Sequence, residues 1–101
     1  MAILGNNTIA TVAVGSASTE LIAANQARLH AVITNISDEI IYLSEGAAAV
    51  ASKGIPLAPV DASGNPVPAG VYRTGENGVL FRGAINGICA SGSKNVATKE
   101  S

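Results

Sequence analysis

The chain has 101 residues, the length of one domain, and its 13% of charged residues is about half the usual share. The net charge is −1 without a basic cluster, which excludes the electrostatic footprint of a nucleic-acid-binding protein. The hydrophobic fraction of 48% is rich in Ala and poor in aromatic residues, so we expect a marginal core that oligomerisation or docking stabilises.

The first part of the chain predicts short strands. Thr8–Val14 is rich in β-branched residues and ends at Gly15, which predicts a strand. Glu20–Ala27 carries consecutive apolar residues that fit no clear period. We predict a short strand there, followed by a turn at Asn25–Gln26, with one helical turn as the alternative.

The segment from Arg28 to Gly46 is predicted to be a β-hairpin. Its first strand is Leu29–Thr34, in which every second residue from Leu29 shares one face. Asn35–Glu39 is the polar turn, since Ser and Asp side chains bond their own backbone there. Ile40–Ser44 is the return strand.

The return strand is apolar on both faces. Ile41 and Leu43 share one face, and Ile40 and Tyr42 share the other. In a single sheet with one wet side this pattern is not expected. It predicts that a second sheet or a neighbouring subunit covers each face.

The second half of the chain predicts one irregular segment among further strands. Pro59–Gly78 holds three of the four prolines, so we predict a projecting loop or loose β-arm that contacts a partner. Gly46–Gly54 is predicted to be a loop or a single helical turn. Extended segments are predicted at Ile55–Leu57, Val79–Phe81, Ala84–Ala90 and Val96–Lys99.

Short strands at spacings of roughly ten residues, with turn signals between them, are typical of sandwiches and barrels. The sequence therefore predicts an all-β fold, a compact antiparallel β-sandwich of about six to eight strands that is jelly-roll-like. Residues 1–101 are expected to form a single domain.

The residues that could carry chemistry are few. A nucleophile–base pair would have to join His30 to Cys89, the one histidine and the one cysteine. We favour simpler interpretations, in which Cys89 is a small buried residue and His30 lies on a half-buried strand face. These residues cannot supply the ligands of a zinc site, and Asp61–Asn65 is a turn without the further acidic ligands of a calcium loop. We expect no enzymatic activity, cofactor or metal.

Six residues are candidates for structural or contact roles. Arg28 and Asn35 bracket the Leu29–Thr34 strand, where their side chains can satisfy free backbone groups, so both are predicted to be architectural. Four residues are predicted to contact a partner: Ile40, Tyr42, Tyr72 and Arg73.

Several segments together resemble a known class of proteins. They are Leu21–Asn25, Arg28–Asn35, Ile41–Leu43, Gly54–Leu57, Gly83–Ile88 and Val96–Glu100. This order resembles small virion proteins of tailed bacteriophages, of the capsid decoration, cement or head-fibre type. Pro59–Gly78 is longer than the connection in that pattern. The resemblance implies a β-sandwich, often trimeric, that lies on the capsid lattice and bridges shell subunits.

The expected function is therefore that of a non-enzymatic decoration or cement protein that stabilises an assembled shell. Its partners would be the major capsid protein or other virion proteins, with a homotrimer favoured, and it would reach the capsid surface after synthesis in the host cytoplasm. We expect no nucleic-acid or membrane partner and see no signal peptide. A phage tail, baseplate or fibre component and a bacterial surface adhesion domain are the alternatives.

Overall fold

The computed structural model describes residues 8–75 and 80–101, and these form eight β-strands and no α-helix. The strands are β1 (Thr8–Val14), β2 (Thr19–Ile22), β3 (Ala31–Asn35), β4 (Ile41–Glu45), β5 (Ile55–Leu57), β6 (Val71–Thr74), β7 (Ile85–Ile88) and β8 (Lys94–Glu100). A single 3₁₀ turn, Pro68–Gly70, precedes β6. The described residues contain no helix of the length and hydropathy that a bilayer-spanning segment requires.

The strands make two antiparallel sheets. The first sheet has the order β1-β8-β3-β6, and the second has the order β2-β7-β4-β5. One buried cluster takes side chains from both sheets: Val14, Ala31, Ile33, Tyr72 and Val96 from the first, and Leu21, Ile22, Ile41, Leu43, Leu57 and Ile85 from the second. The two sheets therefore pack face to face, and the prediction of an antiparallel β-sandwich with six to eight strands is confirmed.

A β-bulge explains the ambiguous segment after Thr19. The pairing of β2 with β7 shifts register between Glu20 and Ile22. Because a bulge adds a residue to one strand, the two-residue alternation breaks there, and Leu21 and Ile22 are both buried. The predicted strand is correct, the helical alternative is wrong, and the turn falls at Gln26–Ala27, one residue later than predicted.

The predicted hairpin is wrong. β3 belongs to the first sheet and β4 to the second, so the two strands do not pair, and their connection crosses between the sheets. Ile33 and Ile41 are both fully buried because they face the same core from opposite sheets. Leu29, predicted to share the buried face of Ile33, precedes β3 and is 57% exposed.

The predicted arm is partly wrong. Val71–Thr74, within Pro59–Gly78, is β6, and it pairs with β3 along the edge of the first sheet. Tyr72 lies opposite Ile33 and is buried, so it is a core residue rather than a partner contact. Asp61–Asn65 forms an exposed turn as predicted, whereas 76–78 lie outside the described residues.

The remaining strand predictions hold in part. β7 lies within the predicted Ala84–Ala90, and β8 extends the predicted Val96–Lys99 at both ends. Of the predicted strand Val79–Phe81, Val79 lies outside the described residues, and the other two are not in a strand. Instead, Phe81 packs against the core, and its N–H donates to the Thr74 hydroxyl at 2.7 Å.

Candidate interaction surfaces

The corner between β3 and β4 is built around Asn35, which is fully buried. Its side-chain N–H groups donate to the carbonyls of Glu39 and Leu57, at 2.7 and 3.0 Å. Its side-chain oxygen accepts from the N–H and the hydroxyl of Ser37, at 2.9 and 2.7 Å. One amide thus turns the chain out of the first sheet and ties the turn to the end of β5 in the second.

Arg28 is also fully buried, at the other end of β3. Its guanidinium donates to the carbonyls of Phe81, Gly83 and Ala23, at 2.7, 3.1 and 2.8 Å. Its Nε lies 2.7 Å from the carboxylate of Glu100, whose side chain is 20% exposed. The planar fork of donors therefore joins the segments that flank β2, β3 and β7 to the last residue of β8.

The loop Gly46–Gly54 lies across the outer face of the second sheet. The Asn86 amide on β7 donates to the Ala47 carbonyl at 2.7 Å, and the Ala49 N–H donates to the Ser18 hydroxyl at 2.8 Å. Gly54 returns the chain to β5 with φ +88°, and a Cβ there would lie 2.3 Å from the Leu43 carbonyl oxygen. Only glycine allows that close approach without a shift of the backbone.

Beside this loop is a groove of about 370 Å³. Its walls are formed by Glu39, Ile40, Tyr42, Ala51, Ser52, Cys89 and Ala90. We call it the Ile40 groove. Ile40 is 44% exposed and Tyr42 is half-buried, whereas Ile88, the neighbour of Tyr42 on β7, is 9% exposed.

The chain's own loop covers part of the outer face of β4, which the sequence did not predict, and the expectation that a neighbouring subunit covers this face stays a prediction. Ile40 remains exposed to solvent beside the loop.

Glu39 places a charged side chain at the rim of the Ile40 groove. The carboxylate of Glu39 accepts hydrogen bonds from the hydroxyl and the N–H of Ser91, and these bonds lower the pKa of Glu39. Next to it, the hydrogen bond and the charge of Lys94, 2.7 Å away, lower the pKa of Asp38. The rim is therefore anionic at Glu39, beside an apolar wall.

A second groove, of about 300 Å³, lies on the outer face of the first sheet. It is lined by Ile9, His30, Val32, Thr34, Arg73, Ala97, Thr98 and Lys99. We call it the Ile9 groove. Lys99 lies between Ile9 and Val32 in one cross-strand row, and Arg73 is the next residue in that row.

The four predicted partner contacts are therefore separated. Ile40 and Tyr42 lie together on the second sheet, as their shared strand face predicted. Arg73 lies on the outer face of the first sheet, and Tyr72 points into the core between them. Adjacent strand residues point to opposite faces, so Tyr72 and Arg73 cannot form one contact site.

The buried Tyr72 has an unusual hydroxyl environment. Its hydroxyl donates to the carboxylate of Glu45 across the core edge. Burial, and then the hydrogen bond and the charge of Glu45, raise the pKa of Tyr72 from 10.0 to about 12. Burial and a neighbouring carboxylate both disfavour the tyrosinate, and they act here in the same direction.

We expect this tyrosine to make stability fall in alkali. Since the folded-state pKa is raised, the contribution is fully present below pH 10 and is lost as the pH rises towards about 12. In a Tyr42→Phe variant, which leaves Tyr72 as the one tyrosine, tyrosinate absorbance in the folded protein should rise near pH 12. Titration of the folded variant near pH 10, as in its unfolded chain, would contradict the assignment.

His30 and Cys89 are not brought together. His30 lines the Ile9 groove, whereas Cys89 lies at the Ile40 groove, 2% exposed, with its thiol 3.3 Å from the Val14 carbonyl. Within residues 8–75 and 80–101 there is no group of three or more His, Cys, Asp or Glu residues suited to a metal ion.

Sequence reasoning missed several residues that shape these surfaces. Ala51, Ser52 and Ala90 form groove walls, but small residues in loops carry no signal of such a role. Glu39 was assigned to the turn, and its partner Ser91 is distant in sequence. The one sequence feature that indicates a polar rim is the carboxylate of Glu39, next to the apolar face of β4.

The described residues define an all-β sandwich on which the Ile40 groove and the Ile9 groove open outwards, with a fully hydrogen-bonded Asn35 corner. Comparisons with protein-family models, curated proteins and solved structures gave no match.

Proposed function

We propose that the protein is a non-enzymatic structural protein of a tailed-phage virion, which binds the assembled capsid and stabilises it as a decoration or cement protein. The Ile40 groove carries the proposal. It combines an exposed Ile40 with an apolar wall and an anionic rim at Glu39. Apolar anchors inside a polar rim are the usual anatomy of a protein–protein interface.

The strand order supports the same class. We interpret it as a jelly roll, because eight strands divide into two sheets of four and every connection except β4–β5 crosses between the sheets. Jelly rolls are an architecture of viral capsid domains among others. Fold alone does not assign a function, so this argument adds to that of the groove and does not replace it.

The capsid would gain stability by mass action. A protein that binds the assembled shell and not its free subunits shifts the equilibrium towards the shell. The partner in this proposal is the major capsid protein or another shell protein, and the protein itself acts as a homo-oligomer. A trimer is what the resemblance to phage decoration proteins implies.

The role is tested by removal and restoration of the protein. Particles stripped of it should rupture at a lower temperature or a smaller osmotic shock, and addition of the purified protein should restore both. If stripped and restored particles rupture alike, a cementing role is wrong, and a tail, baseplate or fibre role becomes the better proposal.

An Ile40→Asp variant tests which surface binds. Because Ile40 is exposed, the substitution should leave the fold intact, but a buried unpaired carboxylate in the interface should weaken binding to stripped particles at least tenfold. Co-sedimentation with the particles over a range of protein concentrations measures the change.

Leu29→Asp is the matched control, since Leu29 is a comparably exposed apolar residue that does not line the Ile40 groove. This variant should bind like the original protein. Equal loss in both variants, or no loss in Ile40→Asp, would reject the Ile40 groove as the contact surface.

A further inference from the structure

We propose that β1 pairs edge to edge with β1 of a second copy of this chain, so that two first sheets join across a two-fold axis. β1 is the outermost strand of its sheet, and among the described residues its sheet neighbour is β8 alone. One side of its backbone therefore carries N–H and C=O groups that can pair with another strand.

The other three edge strands carry features that hinder such pairing. β5 has three residues with Pro56 at its centre, and β2 has four residues with a bulge. β6 has four residues and contains Arg73. Short length, proline, bulges and charge are the devices by which edge strands avoid association.

β1 has none of these features. It pairs with β8 over seven consecutive positions without a register shift, so it is long and regular. Its sequence, TIATVAV, contains no charge, proline or glycine. Ile9 is 75% exposed on the outer face of the sheet. Ala10 is also exposed, although it lies on the same face of β1 as Val12 and Val14, which point towards the core.

The occupant is a second copy because the strand is complementary to itself. The antiparallel register that pairs all seven residues places Thr11 on the two-fold axis, opposite Thr11 of the other copy. Ile9 then meets Ala13, and Ala10 meets Val12. Thr8 meets Val14 in the remaining pair. Ile9 and Val12 each face an alanine on the same side of the sheet, no like charges meet, and Thr–Thr pairs across strands are favourable.

The size of the contact sets its strength. Seven residues of strand extend about 24 Å. A contact along one strand edge of that length buries less surface than a standard interface, which buries about 1,600 Å². The pairing should therefore depend on protein concentration. Being two-fold, it gives a dimer, not the trimer that the resemblance implies, and it does not rest on the shell-binding role.

Opposite charges placed on the axis test the proposal with purified protein. Thr11 is exposed, so Thr11→Lys and Thr11→Glu should leave the fold unchanged, which far-UV circular dichroism checks. Each variant places two like charges opposite each other and should shift the dimer dissociation constant upwards by at least tenfold. An equimolar mixture of the two variants should restore dimers, because the introduced ammonium of one chain then faces the introduced carboxylate of the other.

Thr34 provides the matched control. It shares the outer face and the cross-strand row of Thr11, through Ala97, but it lies on β3 inside the sheet. Thr34→Lys should dimerise like the original chain in sedimentation equilibrium. Any of three results would overturn the proposal. The original chain could stay monomeric at every concentration, it could form a trimer, or the mixture of the two Thr11 variants could fail to form dimers.

Discussion

Replacement of Arg28 by Met is expected to lower the free energy of unfolding by about 3–5 kcal/mol. Methionine keeps an apolar stem in the site but donates no hydrogen bond. The carbonyls of Ala23, Phe81 and Gly83 would lose their guanidinium donor, and Glu100 would lose its cation. Since the free energy of unfolding of small domains is about 5–15 kcal/mol in total, a loss of this size is a large part of the stability of the fold.

Two further variants separate the hydrogen bonds from the charge. Arg28→Lys keeps the charge but loses the planar fork, so it should cost nearly as much as methionine. Glu100→Gln keeps an acceptor beside the guanidinium but removes the counter-charge of a fully buried cation, so it should cost about 1–3 kcal/mol, less than Arg28→Met. Urea unfolding followed by circular dichroism measures all three. A larger loss for Glu100→Gln than for Arg28→Lys would show that charge, not geometry, dominates.

Replacement of Asn35 by Asp is expected to cost about 3 kcal/mol, although the side chains have nearly the same shape. The amide donates to the carbonyls of Glu39 and Leu57, and an aspartate would present an acceptor to both. The buried site also contains no cation among the hydrogen-bond partners of Asn35. Thermal and urea unfolding measure the loss.

Asn65→Asp is the control for this change, since Asn65 lies in the exposed turn and uses its backbone N–H to bind Asp61. It should alter stability by less than about 0.5 kcal/mol. If Asn35→Asp were equally mild, the corner would not depend on the amide donors.

Individual strands could be predicted because alternation records which face is buried. Thr8–Val14 was predicted with its observed bounds, and Ile41 and Leu43 were placed together on one face. Pairing partners could not be predicted in the same way. Two alternating strands with a short polar link fit a hairpin and a crossing between sheets equally well, and the buried Asn35 that decides between them looks like any turn residue in sequence.

The candidate surfaces were predicted only where they depend on the alternation of side chains between the two faces of a strand. Ile40 and Tyr42 lie together for that reason. The prolines of Pro59–Gly78 concealed β6, and so Tyr72 was assigned to a contact although it is in the core. The partners of Arg28 come from three separate segments, and no local pattern indicates contacts over that range.

The position of β8 between β1 and β3 has a consequence for synthesis on the ribosome. Thr8 pairs with Glu100 and Val14 with Lys94, so β1 lacks its neighbour until residues 94–100 have been made. At roughly 5–20 residues per second, that delay is on the order of 4–16 s. During this time TIATVAV is an unpaired, uncharged strand, so nascent chains on one polysome are exposed to mutual association before the first sheet closes.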